Sequence, residues 1–410
     1  MRFFFLLRLL ATLLALELSF LHIYLMNQTV KYLCVDDEET TSTESFRNNL
    51  SGAEARLLIE PSLPDIFSEE VDNLKRSIVD NEYSGLLLDL RLDGPGSKAH
   101  YRAPALVQEI HTRAAEKDFP VLPLILWSND IKLNISYWPD DTSHDLFDLT
   151  VYKEKLAGND LPYATEKARK MVALVDGYEM IRSCNVEGVE RAATLLQKSV
   201  EFVSQLDPRL LYPITKPLSE SSIFDQARFI HRQLLNIPNS ALVSSEILAA
   251  RLGLDIREVP NFDDAATELF PNARYTGAFA YGWPCWWMPI VEKDWQNMPK
   301  SPGVLRQLTA EQRVAFINSS LKRDDYKPAQ GIEWTKSKAF WTVCQITRKP
   351  LDPRNGYVVN RQLYPWQLTQ YLSLHGKLDG STEANRIDID PLDIERFDDD
   401  KATTLAALKK

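Results

Sequence analysis

The chain has 410 residues, of which 44% are hydrophobic and 25% are charged, with 15 glycines and 23 prolines. This composition excludes a wholly disordered chain, a collagen-like repeat and a polytopic membrane protein, and the length suits two or three domains. The net charge of −10 argues against a histone-like coat on nucleic acid.

Charge is unevenly placed along the chain. Residues 1–164 carry 15 basic and 26 acidic side chains, whereas residues 165–410 carry 32 and 31. An acidic first half followed by a nearly neutral second half indicates two units with different partners.

The four cysteines form no CxxC spacing (Cys34, Cys184, Cys285 and Cys344). They favour neither a disulfide scaffold nor a zinc site and are typical of a reducing compartment.

The first 25 residues are almost wholly apolar and admit three interpretations. About 20 apolar residues span a bilayer, so a membrane anchor is one of them. A signal peptide is the second, although no small-x-small cleavage site follows the apolar core. The third is an over-extended translation start, because Met26 opens a segment that suits the beginning of a cytosolic domain.

After Met26 the pattern alternates between predicted strands and predicted helices. Strands are predicted at 31–35, 55–59, 84–90, 120–128 and 146–153, and helices at 67–79 and 105–115. This alternation predicts an α/β fold with a doubly wound, five-stranded parallel sheet and helices on both faces. In such sheets, functional groups collect at the carboxyl ends of the strands.

Polar side chains follow four of these strands. Strand one ends in Asp36 and Asp37, strand three in Asp89, strand four in Ser128 and strand five in Lys153. Three facing carboxylates do not all stay ionised cheaply without a cation, and their hard oxygen ligands suit Mg²⁺. We expect Asp89 to be a nucleophile that takes a phosphoryl group as an acyl phosphate, with Ser128 and Lys153 holding the phosphoryl oxygens. The alternative is a doubly wound domain with an acidic rim and no phosphotransfer.

These groups lie in four segments, Tyr-Leu-Cys-Val-Asp-Asp-Glu (32–38), Gly-Leu-Leu-Leu-Asp-Leu-Arg-Leu-Asp-Gly (85–94), Leu-Ile-Leu-Trp-Ser (124–128) and Val-Tyr-Lys (151–153). In this order, residues 29–160 resemble the receiver domain of two-component response regulators. The resemblance implies a phosphoacceptor at Asp89 that forms 4-aspartylphosphate. It implies Mg²⁺ held by Asp36, Asp37, Asp89 and the backbone carbonyl of Arg91.

The resemblance also implies a phosphodonor and a compartment. The donor would be a sensor histidine kinase or a phosphotransfer protein. Phosphorylation that depends on ATP takes place in the cytoplasm, so we expect a cytoplasmic protein, anchored with its bulk facing inward if residues 1–25 are retained. Two positions depart from the family pattern: Glu154 replaces the usual proline after the lysine, and Thr150 replaces the aromatic switch residue. Residues 93–98 form a turn-rich insert. The phosphorylation chemistry is therefore expected to be intact, and its transmission to be altered.

The second half shows further helical spacing, at 163–182, 186–206, 224–235 and 244–252. The first pair has two interpretations, a dimerising hairpin that makes the chain a homodimer or ordinary structural packing. Residues 244–255 resemble the first part of a helix-turn-helix. An acidic stretch broken by proline follows instead of a basic recognition helix, which disfavours DNA reading.

Aromatic residues are concentrated between positions 275 and 366, where seven of the nine tryptophans lie. They form either a compact core, which is the commoner use, or a stacking surface. Residues 293–361 carry 13 basic and 6 acidic side chains, so binding of nucleic acid is an alternative that we do not favour. No catalytic motif surrounds His231, His375 or Cys285, and the chain is expected to be a regulatory phosphoacceptor rather than an enzyme.

The expected organisation has five parts: an apolar segment (1–25), a receiver-like domain (26–160), a helical connector (161–210), a mixed, mainly helical, aromatic-rich output domain (211–378) and an acidic, solvated tail with a short terminal helix (379–410). The expected function is a response regulator whose phosphorylation controls binding of a protein partner by the output domain. A transcriptional regulator or a receiver-controlled enzyme with the same receiver are the alternatives.

Overall fold

The computed structural model describes residues 28–38, 40–129, 145–157 and 160–408. The apolar segment of residues 1–25 lies outside the described residues, so its three interpretations stay open. Within the described ranges, no helix combines the length and the apolar composition needed to cross a membrane. All four cysteines are buried and free.

The chain divides into two compact units. The first runs to Leu195 and includes Lys216–Arg228, and the second comprises Leu196–Thr215 and the chain from Phe229 onward. The domain boundaries given above stay predictions.

The first unit is built on a parallel sheet. Its strands are β1 (Val30–Val35), β2 (Leu57–Ser62), β3 (Gly85–Asp89), β4 (Leu124–Ser128) and β5 (Leu149–Tyr152). Their order in the sheet is β2-β1-β3-β4-β5, and each neighbouring pair is parallel. The predicted fold class is confirmed, and the general topology is receiver-like. The order reverses between β1 and β3, where ligands bind in doubly wound sheets.

Helices cover the sheet, which explains why its strands read as continuous apolar runs. They are α1 (Thr40–Ala53), α2 (Phe67–Asn81), α3 (Ala103–Ala115), α4 (Lys153–Ala157) and α5 (Leu161–Ser183). Alternate strand residues such as Leu86 and Leu88 share one buried cluster with side chains of α2 and α3. On β1, Tyr32 donates a hydrogen bond to the carbonyl of Met171 in α5, at 2.8 Å. Position 85 is glycine because a Cβ there would overlap the ring of Tyr32.

After α5 the chain forms short helices: α6 (Gly188–Leu196), α7 (Val200–Val203), α8 (Pro208–Thr215), α9 (Ile223–Arg228) and a π-helix (Phe229–Leu235). The single helix predicted over 186–206 is therefore wrong. The backbone of Gln197 has a φ of +52°, which ends α6, and α7 begins after a new cap at Ser199.

The second unit is mainly helical and carries three two-stranded antiparallel sheets. Its helices are α10 (Ser245–Arg251), α11 (Phe262–Leu269), α12 (Met288–Asn297), α13 (Ala310–Ser320), α14 (Leu374–Lys377), α15 (Thr382–Arg386) and α16 (Ile394–Leu408). The sheets pair β6 (Leu242–Ser244) with β7 (Cys285–Trp287), β8 (Thr342–Val343) with β9 (Pro350–Leu351), and β10 (Tyr357–Val358) with β11 (Tyr371–Leu372). Four 3₁₀ turns complete the unit: Ile256–Glu258, Leu305–Gln307, Pro353–Asn355 and Pro391–Asp393.

The aromatic region forms the core of the second unit rather than a stacking surface. Of its seven tryptophans, Trp334 is 38% exposed and the other six are buried: Trp283, Trp286, Trp287, Trp295, Trp341 and Trp366. Side chains that bury so much apolar area stabilise a fold and leave few rings free for a ligand. The tail is also partly packed, because Phe397 in α16 lies edge-on to Tyr357, with ring centroids 5.2 Å apart.

Candidate functional site

The candidate site lies at the carboxyl edge of the parallel sheet. Asp36 and Asp37 follow β1, Asp89 ends β3, Ser128 ends β4, and Lys153 follows β5. Because the four strands are parallel, their carboxyl ends meet at one edge. Asp36, Asp89, Ser128 and Lys153 are buried, and Asp37 is half-buried.

Lys153 holds two of the carboxylates together. Its Nζ lies 2.8 Å from Oδ2 of Asp36 and 2.8 Å from Oδ1 of Asp89, and 4.0 Å from Oε2 of Glu38. Burial opposes the charge of this ammonium, but the carboxylates of Asp89 and Asp36 outweigh that effect and raise the pKa of Lys153. Lys153 is therefore a charged group at neutral pH, in direct contact with the predicted phosphoacceptor.

Trp127 is a site residue that the sequence reasoning missed. Its Nε1 donates a hydrogen bond to Oδ2 of Asp36 at 2.9 Å, and its ring centroid lies 4.9 Å from Nζ of Lys153. Phe46 of α1 packs edge-on to the indole at a centroid distance of 6.3 Å. A tryptophan in an apolar strand reads as core, so only its position directly before Ser128 could have signalled this role.

Asp37 is oriented by the insert that follows β3. The backbone N–H of Gly94 donates to Oδ2 of Asp37 at 2.5 Å. A Cβ at position 94 would overlap that same oxygen, so the close approach requires glycine. Within the insert, Ser97 donates to the carbonyl of Leu92 at 2.7 Å, which closes the turn. The turn-rich insert therefore has a structural task at the site.

Asp89 is fully buried and is held on both carboxylate oxygens. Its Oδ2 accepts a hydrogen bond from the backbone N–H of Arg91 at 2.9 Å, while Oδ1 faces Lys153. The side chain of Arg91 points elsewhere and pairs with Asp93 at 2.6 Å. The carbonyl of Arg91 as a metal ligand stays a prediction.

The hydroxyl of Ser128 lacks a hydrogen-bond partner in the described part of the protein. Its oxygen, Oγ, is buried. A buried hydroxyl without a partner costs about 1–3 kcal/mol of stability, so native structures seldom keep one without a functional reason.

The carboxylates also fit a cation. One oxygen from each of Asp36, Asp37 and Asp89 lies within 4.8 Å of the others. Hard oxygen donors in a partly open cluster are what Mg²⁺ takes, since it keeps several waters and bridges to phosphate. The residues present therefore fit the predicted metal.

The two departures from the receiver pattern are visible in the structure. Thr150 is half-buried in β5, and Glu154 is exposed in the first turn of α4. Tyr152 is the aromatic residue of β5, and its backbone N–H donates to the hydroxyl of Tyr163 at 2.8 Å.

Comparisons with known proteins add no family name to this geometry. No protein-family model matches the chain, and no curated protein matches its sequence. The functional assignment therefore depends on the fold and on the contacts at the sheet edge.

Proposed function

We propose that the first unit is a receiver domain that accepts a phosphoryl group on Asp89 in the presence of Mg²⁺. The observation that carries the proposal is the buried ion pair between Lys153 and Asp89, at 2.8 Å. A buried carboxylate needs a compensating charge, and the ammonium of Lys153, directly after β5, supplies it while also contacting Asp36. The charged carboxylate is the nucleophilic form of an aspartate. The hydroxyl of Ser128, which has no partner among the described residues, lies at the same edge and supports the same chemistry.

In the proposed reaction, a carboxylate oxygen of Asp89 attacks the phosphorus of the donor. The new O–P bond forms as the donor's P–N or P–O bond breaks, and the leaving imidazole or carboxylate keeps the bonding electrons. Lys153 and Ser128 then contact phosphoryl oxygens by ammonium and hydroxyl, which stabilises charge that develops during transfer. Hydrolysis reverses the state when water attacks the same phosphorus and releases phosphate.

Asp36 and Asp37 would hold Mg²⁺ together with Asp89 and the carbonyl of Arg91. When bound, the ion neutralises negative charge shared between the carboxylates and the phosphoryl oxygens. The protein's own contribution is orientation. Trp127 and Lys153 fix Asp36, and the N–H of Gly94 fixes Asp37.

The proposed donor is a sensor histidine kinase or a phosphotransfer protein, which places the reaction in the cytoplasm. The proposed output is a change in protein binding by the second unit, driven by a shift between two states. Six of the seven tryptophans in the aromatic region are buried. Because buried rings do not contact a partner, the proposed binding surface consists mainly of other residues. Burial of the tryptophans also argues against single-stranded nucleic acid as the partner, because stacking needs exposed rings.

The proposal is tested by intact mass. The full chain is incubated with Mg²⁺ and acetyl phosphate, and separately with beryllofluoride, whose binding is followed by fluorine NMR. We expect a gain of one phosphoryl group that hydroxylamine removes, as it does from acyl phosphates. Asp89→Asn should abolish both signals, whereas Asp72→Asn, a surface change on α2, should keep them. A wild-type chain that responds to neither reagent, or phosphorylation that persists in Asp89→Asn, would contradict the proposal.

A further inference from the structure

Three arginines surround the indole of Trp341 in the second unit. The guanidinium carbons of Arg251, Arg306 and Arg313 lie 4.7, 5.1 and 5.6 Å from its ring centroid. They come from the end of α10, the 3₁₀ turn Leu305–Gln307 and α13. Cation–π contacts favour each approach, but three like charges around one ring also repel one another.

These charges lack the carboxylates that neutralise other arginines of the unit. Arg257, Arg323 and Arg354 each form an ion pair with an aspartate two residues away. Among the residues that the structure describes, no carboxylate oxygen lies within ion-pair distance of the three arginines around Trp341. Glu292 acts on Arg251 and Asp352 acts on Arg313 from farther away, and Asp352 is already paired with Arg354 at 2.7 Å.

Two of the three guanidiniums are buried and keep donors in reserve. Arg251 is 5% exposed, and its hydrogen bond within the described part of the chain runs from Nε to the carbonyl of Trp341, at 3.2 Å. Arg313 donates to the carbonyls of Leu305 and Phe340 at 3.0 and 2.7 Å. Its remaining nitrogen, Nη2, is buried without a partner in the described ranges.

Arg191 in the first unit shows what a purely structural buried arginine looks like in this protein. Its Nε and Nη2 donate to Gln226, its Nη2 also donates to the carbonyl of Ile181, and its Nη1 donates to that of Cys184. All three nitrogens are thus used. Since Arg251 uses one nitrogen in this way, tethering of a loop does not account for its placement.

The electrostatic state of the cluster agrees with this asymmetry. Burial, reinforced by Arg306 and Arg313 and opposed by Glu292, lowers the pKa of Arg251 to about 10. Burial also lowers the pKa of Arg313 to about 10, against the attraction of Asp352. Burial of these cations close together destabilises their charged forms, and an anion bound among them would offset that destabilisation.

A cavity of about 160 Å³ opens onto the cluster. Arg251 and Arg306 line it together with four side chains that offer hydroxyls or aromatic surface, namely Trp341, Thr342, Thr369 and Tyr371. Typical ligand pockets measure about 300–1,000 Å³, so this cavity suits a single small group rather than a large molecule.

We propose that this cavity binds a small dianionic oxyanion, the phosphate group of a phosphomonoester or phosphate itself. Two arginines, Arg251 and Arg306, line the cavity and offer two positive charges, which a dianion balances and a monocarboxylate does not. Guanidinium forks match phosphate oxygens in geometry, and the lining hydroxyls supply further donors. The site does not involve Asp89, and its existence is independent of phosphotransfer in the first unit.

The test is calorimetric titration of the full chain with inorganic phosphate, in EDTA and at a mildly alkaline pH where phosphate is a dianion. Sulfate and acetate are titrated at matched ionic strength. We expect saturable binding of phosphate and sulfate and at least tenfold weaker binding of acetate. Because Arg306 is exposed, Arg306→Gln should fold normally and weaken phosphate binding about tenfold, the loss expected for one charge-assisted hydrogen bond.

Two control variants make the result decisive. Arg361→Gln removes the same charge from an exposed position that does not line the cavity, and Asp89→Asn removes the proposed phosphoacceptor. Both should bind phosphate as the wild type does. The proposal is overturned if the wild type shows no saturable phosphate binding, if Arg306→Gln and Arg361→Gln weaken binding equally, or if acetate binds as tightly as phosphate. A titration with glycerol phosphate distinguishes a site that accepts the phosphate group of a phosphomonoester from a site for free phosphate.

Discussion

Trp127 and Lys153 meet on a single oxygen atom, Oδ2 of Asp36, at 2.9 and 2.8 Å. One donor is neutral and the other is charged, and the ring of the first lies against the ammonium of the second at 4.9 Å. Asp36 is thereby fixed both from β4 and from the junction between β5 and α4. Two donors on the same oxygen restrict rotation of the Asp36 carboxylate, and contacts of this kind orient the ligands of a metal site.

Replacement of Lys153 by glutamine should destabilise the first unit strongly. Asp36 and Asp89 would lose their shared counter-charge inside the protein, a change that costs about 3–5 kcal/mol. Urea denaturation in EDTA measures the loss of unfolding free energy. Lys155→Gln, an exposed change within the same helix, should stay within about 0.5 kcal/mol of the wild type.

Added Mg²⁺ should recover part of the stability that Lys153→Gln loses, since a ligand that binds the folded state stabilises it. The recovery is measured by repeating the urea series in Mg²⁺. A Lys153→Gln protein as stable as the wild type in EDTA would show that the ammonium does not compensate the two carboxylates.

Ser128→Ala should separate stability from chemistry. Removal of a buried hydroxyl that has no partner in the described ranges is expected to leave the unfolding free energy unchanged or to raise it by about 1 kcal/mol. The same change should slow phosphorylation by acetyl phosphate, on the order of tenfold to a hundredfold, because a donor to the phosphoryl oxygens is lost.

Ser373→Ala is the matched serine control. The hydroxyl of Ser373 caps α14 by accepting from the N–H of Gly376 at 3.0 Å, and its loss should cost about 1 kcal/mol. Phosphorylation of Asp89 should be unaffected. If Ser128→Ala destabilised the protein as much as Ser373→Ala does, the hydroxyl of Ser128 would have a structural partner after all.

Gly94→Ala should weaken Mg²⁺ binding without unfolding the protein. The added Cβ would overlap Oδ2 of Asp37 and displace the carboxylate from its backbone donor. Loss of such an orienting contact typically lowers metal affinity 10- to 100-fold, which Mg²⁺ calorimetry detects. Gly52→Ala, whose Cβ would meet nothing within 4 Å, should bind Mg²⁺ as the wild type does. Equal affinities in the two variants would remove Asp37 from the metal site.

Glu70 should give the first unit a pH dependence of its own. Burial raises the pKa of Glu70 to about 6. The hydrogen bond from the backbone N–H of Asp65 opposes this shift, and the charge of the Asp65 carboxylate reinforces it. A raised carboxyl pKa means that the folded state binds the proton more tightly than the unfolded chain, whose pKa is about 4.3. Stability from this group is therefore complete below about pH 4.3 and falls as the pH rises to about 6.

Glu70→Gln should remove that fall. The glutamine keeps an acceptor for the N–H of Asp65 and carries no charge, so we expect about 1–2 kcal/mol of added stability at pH 7. Urea denaturation from acid to neutral pH provides the measurement. Glu69→Gln, an exposed change in the same helix, should follow the wild-type pH profile, and a Glu70→Gln profile that also follows it would refute the assignment.

The sheet of the first unit was predictable because its strands are buried on both faces. Segments such as 85–89 and 124–128 are continuous apolar runs that end in a polar residue, and the structure buries every residue of both. Helix α1 was not predicted. Its sequence is rich in Ser, Thr and Asn, which favour caps and turns over helix interiors, and it is held by tertiary contacts instead.

The candidate site was predictable where a charged residue interrupts an apolar run. Asp89 and Lys153 stand out in this way, and the structure brings them into contact. Trp127 and Gly94 do not stand out, because one donates from a side chain that reads as core and the other from its backbone. Their roles follow from distances across the sheet edge, which spacing along the chain does not encode.

Lys153 is also the residue at which β5 passes directly into α4, with no loop between them. The carbonyl of Leu156, one turn further on, accepts a hydrogen bond from the side chain of Asn49 in α1 at 2.9 Å. The ammonium that balances the charge of Asp89 is therefore mechanically coupled to the first turn of α4. Displacement of that ammonium would therefore act on α4 and, through this hydrogen bond, on α1.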